Sequence, residues 1–151
     1  MIEIIDYEDR YASDFKQLNV EWLEKYNVIE DYDLQILDHP KEKILNDGGY
    51  IFLAKINDEI VGTAGLKKED KKTYELVKMA VTAEFQGKGI SRILMDKCID
   101  TAKLLYAKKI VLYSNHQLQT AINLYKKYGF KHVSAHDSPL LTADIKMELS
   151  L

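Results

Sequence analysis

Val81-Thr82-Ala83-Glu84-Phe85-Gln86-Gly87-Lys88-Gly89-Ile90-Ser91 is the stretch on which the reading of the whole chain turns. Before it, Thr73-Tyr74-Glu75-Leu76-Val77-Lys78-Met79-Ala80-Val81 reads as a long strand. After it, Ile90, Ile93, Leu94, Cys98, Ala102 and Leu105 recur at helical spacing. The segment therefore carries a strand straight into a helix N-terminus. A helix start leaves backbone N–H groups unpaired and holds a partial positive charge. Gly87 and Gly89 let a ligand come close to those groups, and Lys88 adds a cation. Such a bend is either a phosphate cradle or a plain glycine entry into a helix, and spacing alone supports both equally. It matches neither G-x-x-x-x-G-K-[S/T] nor G-x-G-x-x-G, which excludes the nucleotide-binding classes built on those loops.

Outward from the bend, Ile2 and Ile4 alternate with polar neighbours as a short strand. Phe15, Leu18, Trp22 and Tyr26 predict an amphipathic helix over roughly 11–26. Asn27 to Asp38 is polar and acidic, and Asp38 is placed to cap a short helix from near Pro40 to before Asn46. Residues 50–56 and 59–66 flank Asn57-Asp58 as a hairpin, and Lys67 to Lys72 reads as a charged, solvated turn. Residues 110–113 form a strand. Leu118, Ala121, Ile122, Tyr125 and Tyr128 mark a second late helix that Gly129 stops. Residues 130–133 and 144–149 are the last strands. The order β-α-α-β-β-β-α-β-α-β-β describes an α+β fold. Its central sheet is mixed and mostly antiparallel, with about seven strands flanked by four helices, in a single domain over 1–151.

Of the 151 residues, 46% are apolar and 30% charged, an ordinary globular balance that argues against disorder. The net charge of −3 gives no electrostatic reason to bind nucleic acid or an anionic membrane. The acidic N-terminus MIEIIDYEDR is unlike a signal peptide, and no window approaches a membrane span. A soluble, cytoplasmic protein is expected. Cys98, the single cysteine, cannot form an internal disulfide and falls on the apolar face of its helix.

Gln86-x-x-Gly89-x-Ser91 resembles the Q/R-x-x-G-x-G/A signature of the GNAT superfamily of N-acetyltransferases. Phe85 before the glutamine and Met79-Ala80-Val81 at the strand end fit the same family. Ala121-Ile122-Asn123-Leu124-Tyr125-Lys126-Lys127-Tyr128-Gly129-Phe130 is similar to its A-x-x-L-Y-x-x-x-G-F block, and the element order is that of the GNAT fold. The resemblance covers nearly the whole chain. It implies acetyl-CoA as cosubstrate and no metal. It also implies a pyrophosphate held by Gln86, Gly87, Lys88, Gly89, Ile90 and Ser91, and a pantetheine arm paired to the backbone of Met79, Ala80 and Val81. The implied activity is acetyl transfer by direct attack in a ternary complex, the acceptor being a primary amine of a small molecule or peptide. A CoA-binding sensor or scaffold without catalysis is the alternative class. Homodimers are common in the family. Ser91 stands where Gly or Ala is usual, and Leu118 where many members carry Asn.

The same resemblance places the phenol of Tyr125 near the thioester sulfur, as a general acid; a packed helix aromatic is the other reading. Some family members carry a catalytic glutamate at the position of Glu75. By period 2, Glu75, Val77 and Met79 share one strand face, where apolar neighbours would raise the carboxyl pKa toward that of a working base. A solvent-facing strand glutamate reads the same way. Asp31, Tyr32 and Asp33 fall where the family builds its acceptor pocket, and an acidic aromatic rim suits a cationic amine. His132 and His136 sit four apart on a strand and loop with no third metal ligand, and His116 reads as a loop histidine.

Overall fold

A computed structural model describes residues 1–151. The chain runs through β1 (Ile2–Asp6), α1 (Ala12–Lys25), α2 (Asp31–Asp38), β2 (Tyr50–Ile56), β3 (Glu59–Lys68) and β4 (Thr73–Val81). It continues through α3 (Ile90–Leu104), β5 (Lys109–Ser114), α4 (Gln119–Lys127), β6 (Lys131–Val133) and β7 (Ile145–Ser150). The strands form one 7-stranded sheet in the order β1-β2-β3-β4-β5-β7-β6. Every neighbouring pair is antiparallel except β4–β5. No helix is long and apolar enough to cross a membrane.

Two apolar clusters hold the helices to the sheet, one on each face. On one face α3 and α4 bury Leu94, Met95, Cys98, Ile122 and Tyr125 against Phe52, Leu66, Leu76 and Met147. On the other, α1 and α2 bury Phe15, Leu18, Ile36 and Leu37 against Ile51, Leu53 and Val77. Each such side chain, fully removed from water, contributes about 1.5–3 kcal/mol.

The early helices differ from the sequence expectation. The acidic stretch before Asp38 folds as α2, opened by a capping box. The Glu30 side chain accepts from the Asp33 amide while Asp33 accepts from the Glu30 amide at 2.9 Å. Asp38 ends that helix instead of starting another, and residues 41–45 make only one wide turn. The predicted turn at Lys67 begins two residues later, because β3 runs on through Lys68.

Two features of β4 open the sheet. Its parallel pairing with β5 stops at Glu75↔Val111, and both strands run on past that point without partners for each other. Its pairing with β3 is bulged: Gly65 faces Val77 and Thr63 faces Ala80, so Lys78 and Met79 together stand opposite Ala64. Lys78 takes the left-handed conformation, φ +53°. Thr63 Oγ1 holds it there by donating to the Lys78 carbonyl at 2.7 Å, and buried Asn19 donates to Thr63 Oγ1 at 3.0 Å. The extra residue shifts the side-chain alternation. Val77 packs in the α1–α2 cluster while Met79 packs against the α3 cluster. Glu75, Val77 and Met79 therefore do not share a face, contrary to strict period 2.

Candidate active site

The bend between β4 and α3 is open. Gly87 and Gly89 have φ of +78° and +82°, and a Cβ on either would meet nothing within 4 Å. The first backbone bond of α3 runs from the Ile93 amide to the Gly89 carbonyl, and no carbonyl accepts from the amides of residues 87–92. Those donors are left without acceptors at the positive end of a 15-residue helix. The Gln86 side chain does not reach outward; its amide donates to the Val81 carbonyl at 3.0 Å and ties the loop to the strand end. Lys88 turns aside, with Nζ 5.4 Å from the centre of the Phe85 ring.

A groove of about 660 Å³ leads from the bend along α4. Met79, Ala80, Val81, Gln86, Gly87, Gly89, Ile90 and Ser91 all line it; of the expected cradle residues only Lys88 does not. Arg92, Asn123 and Lys127 line it as well. The sequence reading passed over them, although a cation two residues into a helix beside a glycine bend is the signal that finds Arg92. At its far end the groove meets a chamber of about 110 Å³. Trp22, Met79, Leu118 and Tyr125 line both spaces, so one channel crosses the sheet where β4 and β5 part.

Tyr125 stands in that join because of how α4 ends. Gly129, at φ +98°, donates to the Lys126 carbonyl at 3.0 Å, and Phe130 donates to the Tyr125 carbonyl at 3.1 Å. This is a Schellman stop, and it brings the Phe130 ring to 5.8 Å from the Tyr125 ring. The Y-x-x-x-G-F spacing is thus a clamp on the tyrosine ring. Burial alone pushes the phenol up to about 12.

Glu75 lines the chamber and is 8% exposed, which sets aside the solvent-facing reading. Burial, then a hydrogen bond and charge repulsion from Glu69, push its carboxyl up to about 8. Lys67 opposes the rise less strongly. Across the chamber the β4 bulge turns Lys78 toward α2, where it pairs with buried Asp33. Asp33 is therefore a partner of Lys78, Asp31 is exposed, and only Tyr32 of that trio stands half-buried, its phenol pushed up by burial and then by the charge of Glu75. The chamber roof comes from residues 140–143. Glu30 holds it by accepting from Leu141 N at 3.0 Å, Thr142 N at 2.7 Å and Thr142 Oγ1 at 2.5 Å.

The remaining candidates lie elsewhere. His116 pairs with Asp144 at 2.5 Å, and His136 bonds Ser134 at 2.9 Å. No group of three His, Cys, Asp or Glu side chains is placed to hold a metal ion. Cys98 is wholly buried, and burial pushes its thiol up to about 12.

Comparison with known proteins agrees with this geometry. The Acetyltransferase (GNAT) family model matches residues 12–130. An uncharacterized N-acetyltransferase of Bacillus subtilis, YvbK, is 32% identical over 119 residues, covering 77% of this chain and 76% of that protein. The N-acetylaspartate synthetase of Rattus norvegicus is 32% identical over 105 residues; the match covers 69% of this chain and 34% of that protein, so the chain spans about a third of its length. A crystal structure of a GNAT-family acetyltransferase from Staphylococcus aureus superposes with a TM-score of 0.92 at 28% identity, over 100% of this chain and 99% of the other. One from Elizabethkingia anophelis, solved with acetyl-CoA bound, superposes at 0.69 and 25% identity, over 99% and 98%. An open helix-entry bend, a sheet parted beyond Glu75 and a family match across most of its length lead to one conclusion: the chain belongs to the GNAT family and is an acetyltransferase.

Proposed function

We propose that this acetyltransferase moves the acetyl group of acetyl-CoA onto a primary amine by direct attack, with both substrates bound at once. The observation that carries this reading is the single channel through the parted strands, with unpaired amides at one mouth and Tyr125 in the join. The acetyl-CoA complex of the Elizabethkingia enzyme supports the cosubstrate, and the N-acetylaspartate synthetase relatives support an amine acceptor.

Acetyl-CoA supplies an acetyl group activated as a thioester. The amides from Gly87 to Ser91 hold its pyrophosphate, and the unpaired edge of β4 at Met79, Ala80 and Val81 aligns the pantetheine arm. A backbone N–H on that edge polarises the carbonyl. As the amine nitrogen bonds to the carbonyl carbon and the C–S bond breaks, Tyr125 gives its proton to the leaving thiolate. A phenol held near 12 stays protonated at neutral pH and is available for that step. Glu75, once deprotonated, takes the amine proton through water. Most of the acceleration comes from holding two substrates in one channel.

Thiol release from acetyl-CoA over a broad amine panel tests the reading. Tyr125→Phe should lower kcat by about 100-fold and leave the heat of CoA binding unchanged. Heat on titrating CoA, without turnover of any amine, would sink acetyl transfer and leave a CoA-binding module.

A further inference from the structure

The chamber has walls that select what can enter it. Most are apolar, including Trp22, Leu23, Val28, Ile36, Leu140 and Ala143. Lys78 is its one cation, and that charge is already matched by Asp33, the side chains being 9% and 2% exposed. A carboxylate bound to Lys78 would leave Asp33 as an unpaired buried charge, which is strongly unfavourable. The amide groups are committed as well: Asn19 donates to Phe15 O at 2.8 Å and to Thr63, and Asn115 donates to Thr142 O at 2.5 Å. Size gives a second limit. An apolar protein cavity of about 150 Å³ holds benzene; this chamber is about 110 Å³ and open toward the groove, so it limits the group that an acceptor can seat inside it. Its roof is held down by the three bonds to Glu30.

We propose that the acceptor is a small primary amine bearing one compact, uncharged apolar group, smaller than a benzyl group. The reading rests on acetyl transfer through the same channel. It excludes amino acids, whose carboxylate finds no free cation. It also excludes polyamines, whose further ammonium groups find Asp33 already paired with Lys78. It thus parts company with a dicarboxylic acceptor such as the N-acetylaspartate synthetase name indicates for that relative.

Isobutylamine and valine differ by one carboxylate, so they isolate the charge argument. The experiment measures kcat/KM with acetyl-CoA for isobutylamine, valine, aspartate and spermidine, and titrates isobutylamine into CoA-saturated protein by calorimetry. Isobutylamine should be preferred at least about tenfold over each of the others, a gap of about 1.4 kcal/mol, and should give binding heat. Ala143→Leu should lower the ratio of isobutylamine to ethylamine turnover and leave the KM for acetyl-CoA unchanged. Preference for valine, aspartate or spermidine overturns this inference and leaves acetyl transfer standing. An unchanged isobutylamine-to-ethylamine ratio in the variant also overturns it. Failure of every amine, with CoA still bound, overturns acetyl transfer itself.

Discussion

The bend at residues 86–91 and the chamber under α2 lie at opposite ends of one channel, yet they are built from different material. The bend is backbone: glycines at positive φ, amides without acceptors, open space around them. Its shape is set within a few residues of sequence. The chamber is side chains, and its decisive contacts join distant parts of the chain. Lys78 meets Asp33 across 45 residues, and Thr142 meets Glu30 across 112. On the proposed reading the bend holds the pyrophosphate of acetyl-CoA, while the chamber discriminates among acceptors. The difference teaches that cosubstrate chemistry is written locally and acceptor chemistry is assembled by the fold.

Three experiments can break or sharpen that contrast. The largest effect is expected at the ion pair. Asp33→Ala strands a buried lysine and should cost about 3–5 kcal/mol of stability, read as a lowered urea midpoint. Replacing both partners by Leu and Met should restore most of the loss. A small loss in the single variant would mean that the chamber is not built into the fold. At the other end of the channel, Gly89→Ala puts a Cβ on a residue at φ +82° in open space. The left-handed conformation then costs about 1–2 kcal/mol; the free bend has room to relax out of it and must return on binding, so CoA should bind about tenfold more weakly while the urea midpoint moves little. An unchanged CoA affinity would show that the bend is no cradle.

The third test concerns pH. The Glu75 carboxyl lies at about 8 against an ordinary 4.5, so between those values the folded state keeps a proton that the unfolded chain has lost. Stability should therefore fall as pH rises through that window. The base form appears only near its upper end, so kcat/KM for wild type should climb through about pH 8. Glu75→Gln should flatten the stability trend and remove that climb relative to wild type. Parallel profiles for the two proteins would deny Glu75 the role of base.

The same contrast explains what the sequence disclosed. β2 and β4 occupy the residues that their alternation predicts, and the bend and Tyr125 follow from motifs that act over a few positions. The misread segments depend on partners out of local range. Residues 31–38 look like an acidic loop because the Glu30–Asp33 capping box is indistinguishable from surface charge until the helix forms. The bulge that turns Met79 from Val77 sits on a lysine, not a glycine, and is held by Thr63 and Asn19 from elsewhere in the chain. Gln86 lines the groove as its motif implies, but its side chain ties the loop to the Val81 carbonyl, a partner that spacing does not show. The Glu75 carboxyl is raised by burial and then by Glu69, neither of which period 2 can see.

The Glu30 clasp has a consequence for the order of assembly. Closing a loop of more than a hundred residues costs more entropy than pairing adjacent strands. The clasp therefore belongs to the last contacts made and the first released. A chain emerging from the ribosome exposes the bend and α3 well before residue 142 is available to dock, so the bend proposed for the cosubstrate is complete before the chamber proposed for the acceptor. In the finished protein, the Leu141 and Thr142 amides should exchange with deuterium faster than those of β4.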